Sequence, residues 1–118
     1  VYFEKGDYNK AQQLLTQFEY DDMLLNIIAK TMLLKIYHEQ DEQDAFESLL
    51  ESMRIYLQRK EALDPARKMA YKNMISLMKK LMHLNPYSKV QKDKLRELVG
   101  ATNPLMERDW LLRQLSDK

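Results

Sequence analysis

The sequence predicts an all-α protein, and three observations support this prediction. Leu, Lys, Glu, Gln, Met and Ala dominate the composition, and all of them favour helices. Val and Thr, which favour strands, occur only three times each. Two glycines and three prolines interrupt 118 residues, so we expect few turns and long elements with apolar residues at helical spacing.

The composition indicates one small globular domain over residues 1–118. Hydrophobic residues make up 45% and charged residues 31%, which suits a folded chain with a core of its own. Because cysteine is absent, disulfides, thiolate metal sites and a Cys nucleophile are excluded. A reducing compartment fits this composition, and we expect a cytoplasmic protein. Since no run of about 18 apolar residues occurs, we expect no membrane insertion.

The first half of the chain predicts two helix pairs. Residues 1–5 resemble the end of a helix, Gly6 makes a turn, and Asp7 caps a helix over residues 8–18. The helix predicted over residues 22–39 is apolar nearly all round, which indicates burial on both sides. A new helix begins after Asp41 and is predicted over residues 42–59. Its apolar stripe is narrower than that of the helix before it.

The second half contains clear start and stop signals. Asp64-Pro65 begins a helix that runs to residue 83, and Pro86 follows its end. Ser88 caps a further helix over residues 88–99. The residues expected to face inward from it are Val90, Leu95, Leu98 and Val99, with Gly100 at its C-terminal end. Asn103-Pro104 is expected to open a short last helix that carries Trp110.

The opening stretch is repeated 34 residues later. Residues 2–15 (YFEKGDYNKAQQLL) align with residues 36–49 (IYHEQDEQDAFESL). The identical pairs are Asp7 with Asp41, Ala11 with Ala45, and Leu15 with Leu49. A fixed period of this length is typical of helical-hairpin repeats. The chain here resembles the tetratricopeptide repeat (TPR) family, with 6–11 (GDYNKA) similar to the family's turn and second-helix start.

This resemblance implies a right-handed antiparallel helix-hairpin solenoid of about six to seven helices. Residues 1–20 would form part of a first unit and 21–60 a second. Residues 64–100 would form a divergent third unit, and 103–116 a capping helix. Three further stretches are 33–63 (LLKIYHEQDEQDAFESLLESMRIYLQRKEAL), 70–81 (AYKNMISLMKKL) and 107–115 (ERDWLLRQL). In these stretches the chain resembles the C-terminal part of helical-repeat proteins of no assigned activity that are common in Bacteroidetes. We therefore expect further units upstream and an apolar face on the first helix pair that permits self-association.

The TPR resemblance implies a non-enzymatic scaffold that binds a protein or peptide. The family's groove positions fall on Ile27, Lys30, Leu34, Tyr37 and His38. Lys30, Tyr37 and His38 would offer polar groups to the partner. The alternative for Tyr37 is packing against the helix predicted from Asp64-Pro65 to residue 83.

An uneven charge distribution supports a second hypothesis. Residues 1–59 carry six Lys or Arg against eleven Asp or Glu, a net charge of −5. Residues 60–118 carry thirteen Lys or Arg against seven Asp or Glu, a net charge of +6. A regulatory or nucleic-acid-associated domain would use the basic surface of residues 66–96. Asp93 interrupts these charges, so we expect solvated helix faces rather than a nucleic acid interface.

The sequence offers no pattern for catalysis or for metal or cofactor binding. His38 and His83 are the two histidines, and neither has potential ligands at metal-binding spacing around it. The acidic stretch of residues 39–47 lacks the glycine that an EF-hand calcium loop needs. We interpret it as a helix start, where acids favour the positive end of the helix dipole.

Overall fold

The computed structural model describes residues 23–60 and 63–116, and within these ranges the protein is all-helical, as predicted. The described part contains no strand. Its five helices are α1 (Met23–Glu39), α2 (Gln43–Arg59), α3 (Pro65–Met82), α4 (Lys89–Ala101) and α5 (Arg108–Gln114). None of these helices is long and apolar enough to cross a membrane. The helices predicted over 1–5 and 8–18, the turn at Gly6 and the cap at Asp7 lie outside the described residues.

The chain divides into two compact units, Val1–Met53 and Arg54–Lys118. In the first unit the buried apolar residues come from α1 and the first part of α2. They are Ile27, Ala29, Leu33, Leu34, Ile36, Phe46, Leu50 and Met53. The prediction that α1 is buried on both sides is wrong near the start of the helix, because Leu25 and Ile28 are exposed. Apolar residues all round a helix predict burial only if a neighbour covers each side.

A Schellman turn joins α1 to α2. The Glu42 N–H donates to the Tyr37 carbonyl at 2.9 Å, and the Asp41 N–H donates to the His38 carbonyl at 3.2 Å. These two bonds satisfy carbonyl groups that the end of a helix leaves without intrahelical partners. Asp41 takes the left-handed conformation (φ 57°) that glycine usually supplies. The chain therefore makes a glycine-type turn with an aspartate at its critical position.

In the second unit, α3, α4 and α5 each pack against the other two. The Asp64 cap is confirmed, since its Oδ2 accepts from the Arg67 N–H at 3.1 Å with Pro65 in the first turn. Met69 of α3 is apolar but half of its surface is exposed. The buried apolar residues of this unit are Leu57, Leu63, Ala70, Tyr71, Met74, Ile75, Leu77, Met78, Leu81, Leu95, Val99, Trp110, Leu111 and Leu115.

Helix α4 begins where the sequence predicts and ends later. Ser88 Oγ accepts from the Gln91 N–H at 3.2 Å, which confirms the predicted cap. The expected end at Gly100 is wrong, because the helix continues through that residue and Thr102 is its C-cap. The prediction that Val90 and Leu98 face inward is also wrong, since these two residues are 64% and 42% exposed. Leu95 and Val99, one helical turn apart, form the buried strip of α4.

The last helix begins at Arg108 and not at Asn103-Pro104, so the predicted start is wrong. The Asn103-Pro104 peptide bond is cis. Glu107 precedes the helix in the left-handed region (φ 63°). Glu107, not Asn103, is the N-cap residue of this helix, and the Asn103 side-chain oxygen accepts from the Arg108 guanidinium at 2.6 Å.

Arg108 of α5 caps the end of α4. Its Nη1 donates to the carbonyl oxygens of Val99 at 3.2 Å and Gly100 at 2.8 Å. Its Nη2 donates to the Thr102 carbonyl at 2.6 Å. A guanidinium at this end satisfies free carbonyl groups and complements the negative end of the helix dipole. One arginine therefore joins the start of α5 to the end of α4.

Arg96 of α4 makes the reverse connection. Its Nη2 donates to the carbonyl of Leu115, the C-cap residue of α5. Its Nη1 also pairs with Asp93 Oδ1, one turn earlier in α4, at 2.9 Å. The two helices are thus linked by arginine caps in both directions.

Candidate functional site

The five residues of the predicted α1 groove differ widely in exposure. Ile27 and Leu34 have no exposed surface, and Lys30 is 9% exposed. Tyr37 and His38 are half-buried near the end of α1. Three of the five residues thus offer a partner little or no surface, and the groove as a whole stays a prediction.

His38 takes part in packing across the α1–α2 turn. Its ring centroid lies 5.8 Å from that of Phe46, with the ring planes inclined by 50°. This tilted arrangement is a favourable geometry for two aromatic rings. Since Phe46 is buried, a substitution at His38 disturbs the packing of unit 1 as well as any surface role.

A second concave surface lies in the second unit, between the C-terminal half of α3 and α4. We call it the α3–α4 groove, and its volume is about 550 Å³. Its lining residues are Ser76, Lys79, Lys80, His83, Leu84, Gln91, Lys94, Leu95 and Leu98. The volume lies within the usual range of small-ligand and side-chain pockets.

The floor of the α3–α4 groove is apolar. Leu84, Leu95 and Leu98 contribute to it, and most of the exposed lining is carbon. Because Leu95 and Leu98 lie three residues apart on α4, they occupy one helix face. Leu98 is the most solvent-accessible of the three. An exposed leucine within a concave surface is more informative than a single apolar residue on a convex one.

The rim of the groove is cationic. Lys79, Lys80 and Lys94 line it together with His83, and all four are exposed. No lining residue is an acid. A concave surface of one charge sign over an apolar floor concentrates the field that attracts oppositely charged groups.

A smaller depression adjoins this surface. Its volume is about 340 Å³, and it shares Ser76 and Lys79 with the α3–α4 groove. Its further lining residues are Arg54, Gln58, Lys72 and Ile75. The same combination of cations and aliphatic surface therefore extends from α4 across α3 to the end of α2, within the second unit.

The groove lysines differ from the arginines of this unit in their partners. Arg96 and Arg108 are held by carbonyl groups, as described above. Within residues 23–60 and 63–116, Lys72, Lys79 and Lys94 make no ion pair or side-chain hydrogen bond. Their charges are thus available to a partner in solution.

Helix stability offers a competing explanation for part of this charge. Lys79 and Lys80 lie in the last turn of α3, where cations favour the negative end of the helix dipole. Lys72 and Lys94 lie away from helix ends and gain nothing from this effect. The dipole therefore does not account for the whole cationic surface.

Tyr71, on the buried face of α3, has a shifted ionisation. Burial raises the pKa of its hydroxyl above the ordinary value of 10.0. The Arg67 guanidinium lowers this pKa in part, and the Glu107 carboxylate raises it. Tyr71 is therefore neutral at physiological pH, and its ring belongs to the core of the unit.

Sequence reasoning identified the basic residues 66–96 but missed the groove. The signal was present in the i, i+4 spacing of Lys94 and Leu98, which places a cation and an apolar residue on one helix face. The described residues contain no cluster of three or more His, Asp or Glu side chains that could hold a metal ion. Comparisons with family models, curated proteins and solved structures find no match to this chain.

Proposed function

We propose that the protein is a non-enzymatic module that binds another protein or a peptide. The observation that carries this proposal is the α3–α4 groove, which combines an apolar floor, where Leu98 is exposed, with a rim of lysines that form no ion pair among the described residues. Peptide grooves use this combination, since apolar contacts supply affinity and charged groups at the rim supply specificity and orientation. The lack of cysteine supports the cytoplasm as its compartment.

We further propose that the helix pairs stack as a TPR-like solenoid. The 34-residue spacing of Asp7 and Asp41, and of Ala11 and Ala45, supports this arrangement. The short Schellman turn between α1 and α2 is compatible with the helix–turn–helix of such a unit. In a solenoid each hairpin buries its apolar face on its neighbours, which leaves extended surfaces for binding.

Within this proposal Lys30, Leu34, Tyr37 and His38 form a second partner surface on α1. The partial exposure of Tyr37 and His38 supports contact with a ligand through their polar atoms. Because Leu34 is fully buried, its part would be to position its neighbours. The α3–α4 groove is the stronger candidate because Leu98 on its floor and the lysines on its rim are exposed.

A regulatory or nucleic-acid-associated role for residues 66–96 is the second candidate function. It is favoured by Lys72, Lys79 and Lys94, which pair with no acid in the described part of the chain, since phosphate contacts need accessible cations. The lining of the groove argues for a peptide instead, because it includes no Tyr, Trp or Phe on which bases would stack.

Selection of displayed random peptides against the 118-residue chain tests the proposed function. We expect enriched peptides that bind with saturable, micromolar affinity when they are made synthetically. Failure to enrich any sequence over an unrelated helical protein would contradict peptide binding. Tight binding of mixed-sequence oligonucleotides, weakening steeply with salt, would favour the second candidate.

A further inference from the structure

We infer that the α3–α4 groove takes a peptide segment in which acidic side chains lie next to large apolar ones. This inference rests on the proposed function and specifies the chemistry of the partner. It follows from two properties of the groove. Its positive charge favours acidic side chains, and its exposed apolar surface favours large apolar side chains.

The charge of the groove requires an acidic partner. Lys79, Lys80 and Lys94 line it with no acid among the lining residues, and Lys72 extends the same sign of charge along α3. An oncoming basic segment would be repelled, whereas carboxylates would be drawn to the rim and oriented there. Because the lysines have no ion-pair partner within the described ranges, a carboxylate displaces no existing contact.

The floor of the groove requires large apolar side chains. Leu84, Leu95 and Leu98 line a volume of about 550 Å³, which has room for side chains such as Leu, Ile or Phe. Removing the exposed surface of Leu98 from water is favourable in proportion to its apolar area. A purely acidic segment would form ion pairs with the lysines but would leave the apolar floor exposed to water. Charge alone therefore does not define the partner.

The protein's own acidic stretch does not have this chemistry. In residues 39–47 the carboxylates of Glu39, Asp41, Glu42, Asp44 and Glu47 are exposed. The large apolar residue among them, Phe46, is buried against its own unit. Through residues 39–47 a second copy would present acids to the rim without an apolar side chain for the floor, so the inference commits to a different chain as the occupant.

The direct test measures binding of a fluorescent peptide to the full 118-residue chain. The peptide has about 16 residues, in which pairs of Glu alternate with pairs of Leu. We expect saturable binding. We expect none for matched peptides with Lys in place of Glu, or Ser in place of Leu. The double variant Lys79→Glu/Lys94→Glu should weaken binding at least about tenfold, since it reverses two rim charges. Leu98→Ser should weaken it about fivefold through loss of apolar contact.

Matched substitutions on the same helix serve as controls. Lys89→Glu and Val90→Ser change a cation and an exposed apolar residue of α4 that do not line the groove. Both should bind the peptide within about twofold of the unchanged protein. Because every substituted side chain is exposed, unchanged circular dichroism is expected for all variants. Lys79→Glu places an anion at the negative end of the α3 dipole and lowers the melting temperature slightly, so binding is measured well below the melting temperature of every variant.

The outcomes separate this inference from the proposed function. Equal effects of Leu98→Ser and Val90→Ser, or no effect of the charge reversal, would overturn the groove assignment. Selected peptides that bind tightly but are not acidic and apolar would overturn the inference and leave peptide binding standing. Binding of a DNA or RNA oligonucleotide that Leu98→Ser does not weaken, with no binding of the Glu/Leu peptide, would replace the peptide with nucleic acid. Concentration-dependent dimerisation abolished by Lys79→Glu/Lys94→Glu would point to a second copy instead.

Discussion

The Asn73 side-chain amide donates a hydrogen bond to the Pro104 carbonyl oxygen at 2.8 Å. These residues are 31 positions apart, and the bond ties α3 to the connection between α4 and α5. Three residues earlier on α3, the Ala70 carbonyl accepts a hydrogen bond from the Met106 N–H at 3.3 Å. The connection is therefore held to α3 by polar contacts on two successive turns of that helix.

Substitution Asn73→Ala tests the contribution of this tie. It removes the bond to Pro104, and a typical net hydrogen bond contributes about 1 kcal/mol to the free energy of unfolding. We expect a loss of about that size in urea denaturation. Lys72→Ala, at the exposed neighbouring position, should change stability by less than about 0.5 kcal/mol. Equal losses for the two variants would show that the Asn73 bond contributes nothing specific.

Arg108→Ala should be more destabilising than Asn73→Ala. The guanidinium donates to three carbonyl oxygens at the end of α4 and to Asn103 Oδ1. Charge-assisted hydrogen bonds contribute more than neutral ones, so we expect a loss of about 2 kcal/mol in the free energy of unfolding. Arg113→Ala, which removes an exposed arginine of the same helix, is the control. A loss for Arg108→Ala no larger than the control's would mean that the cap is unimportant.

Gly100→Ala should stabilise the protein. Gly100 lies within α4, and a Cβ added there would meet no atom within 4 Å. Its φ is not in the left-handed region, so alanine adopts the same backbone without strain. Since glycine in a helix costs roughly 0.5–1 kcal/mol relative to alanine, the free energy of unfolding should rise by about that amount. A lower midpoint in chemical denaturation would contradict the helical assignment of this residue.

The raised pKa of Tyr71 predicts a loss of stability in alkali. Burial raises this pKa above 10.0, so the folded state favours the neutral hydroxyl and binds the proton more tightly than the unfolded chain. The resulting stability is fully present below pH 10.0 and is lost as the pH rises through the folded-state pKa. Tyr71→Phe should therefore flatten the decline in unfolding free energy above pH 10, whereas Tyr87→Phe, at a 93% exposed tyrosine, should not. Parallel declines in the two variants would contradict this role.

Features that depend on residues close together in the chain could be predicted from the sequence. The caps at Asp64 and Ser88 depend on a side chain and a backbone N–H three residues away, so a short stretch contains all the information. The all-α class follows equally from composition and spacing. The burial of Leu95 and Val99 was also visible in their four-residue separation.

Features set by distant residues could not be predicted in this way. Asn103-Pro104 has the form of a helix start, yet Arg108 takes the Asn103 oxygen and Asn73 takes the Pro104 carbonyl. Val90 and Leu98 are apolar, but α4 needs only a narrow strip to cover its neighbours in the unit. The groove requires the end of α3 and the middle of α4 side by side, which no periodicity within one helix reveals.

The most direct test of the central claim is a map of amide chemical-shift changes as the Glu/Leu peptide is added to the isotopically labelled chain. We predict that the largest changes cluster at the end of α3 and along α4, around Lys79, His83, Lys94 and Leu98. Changes concentrated on α1 around Tyr37 and His38, or no changes at saturating peptide, would contradict the assignment of the α3–α4 groove as the binding site.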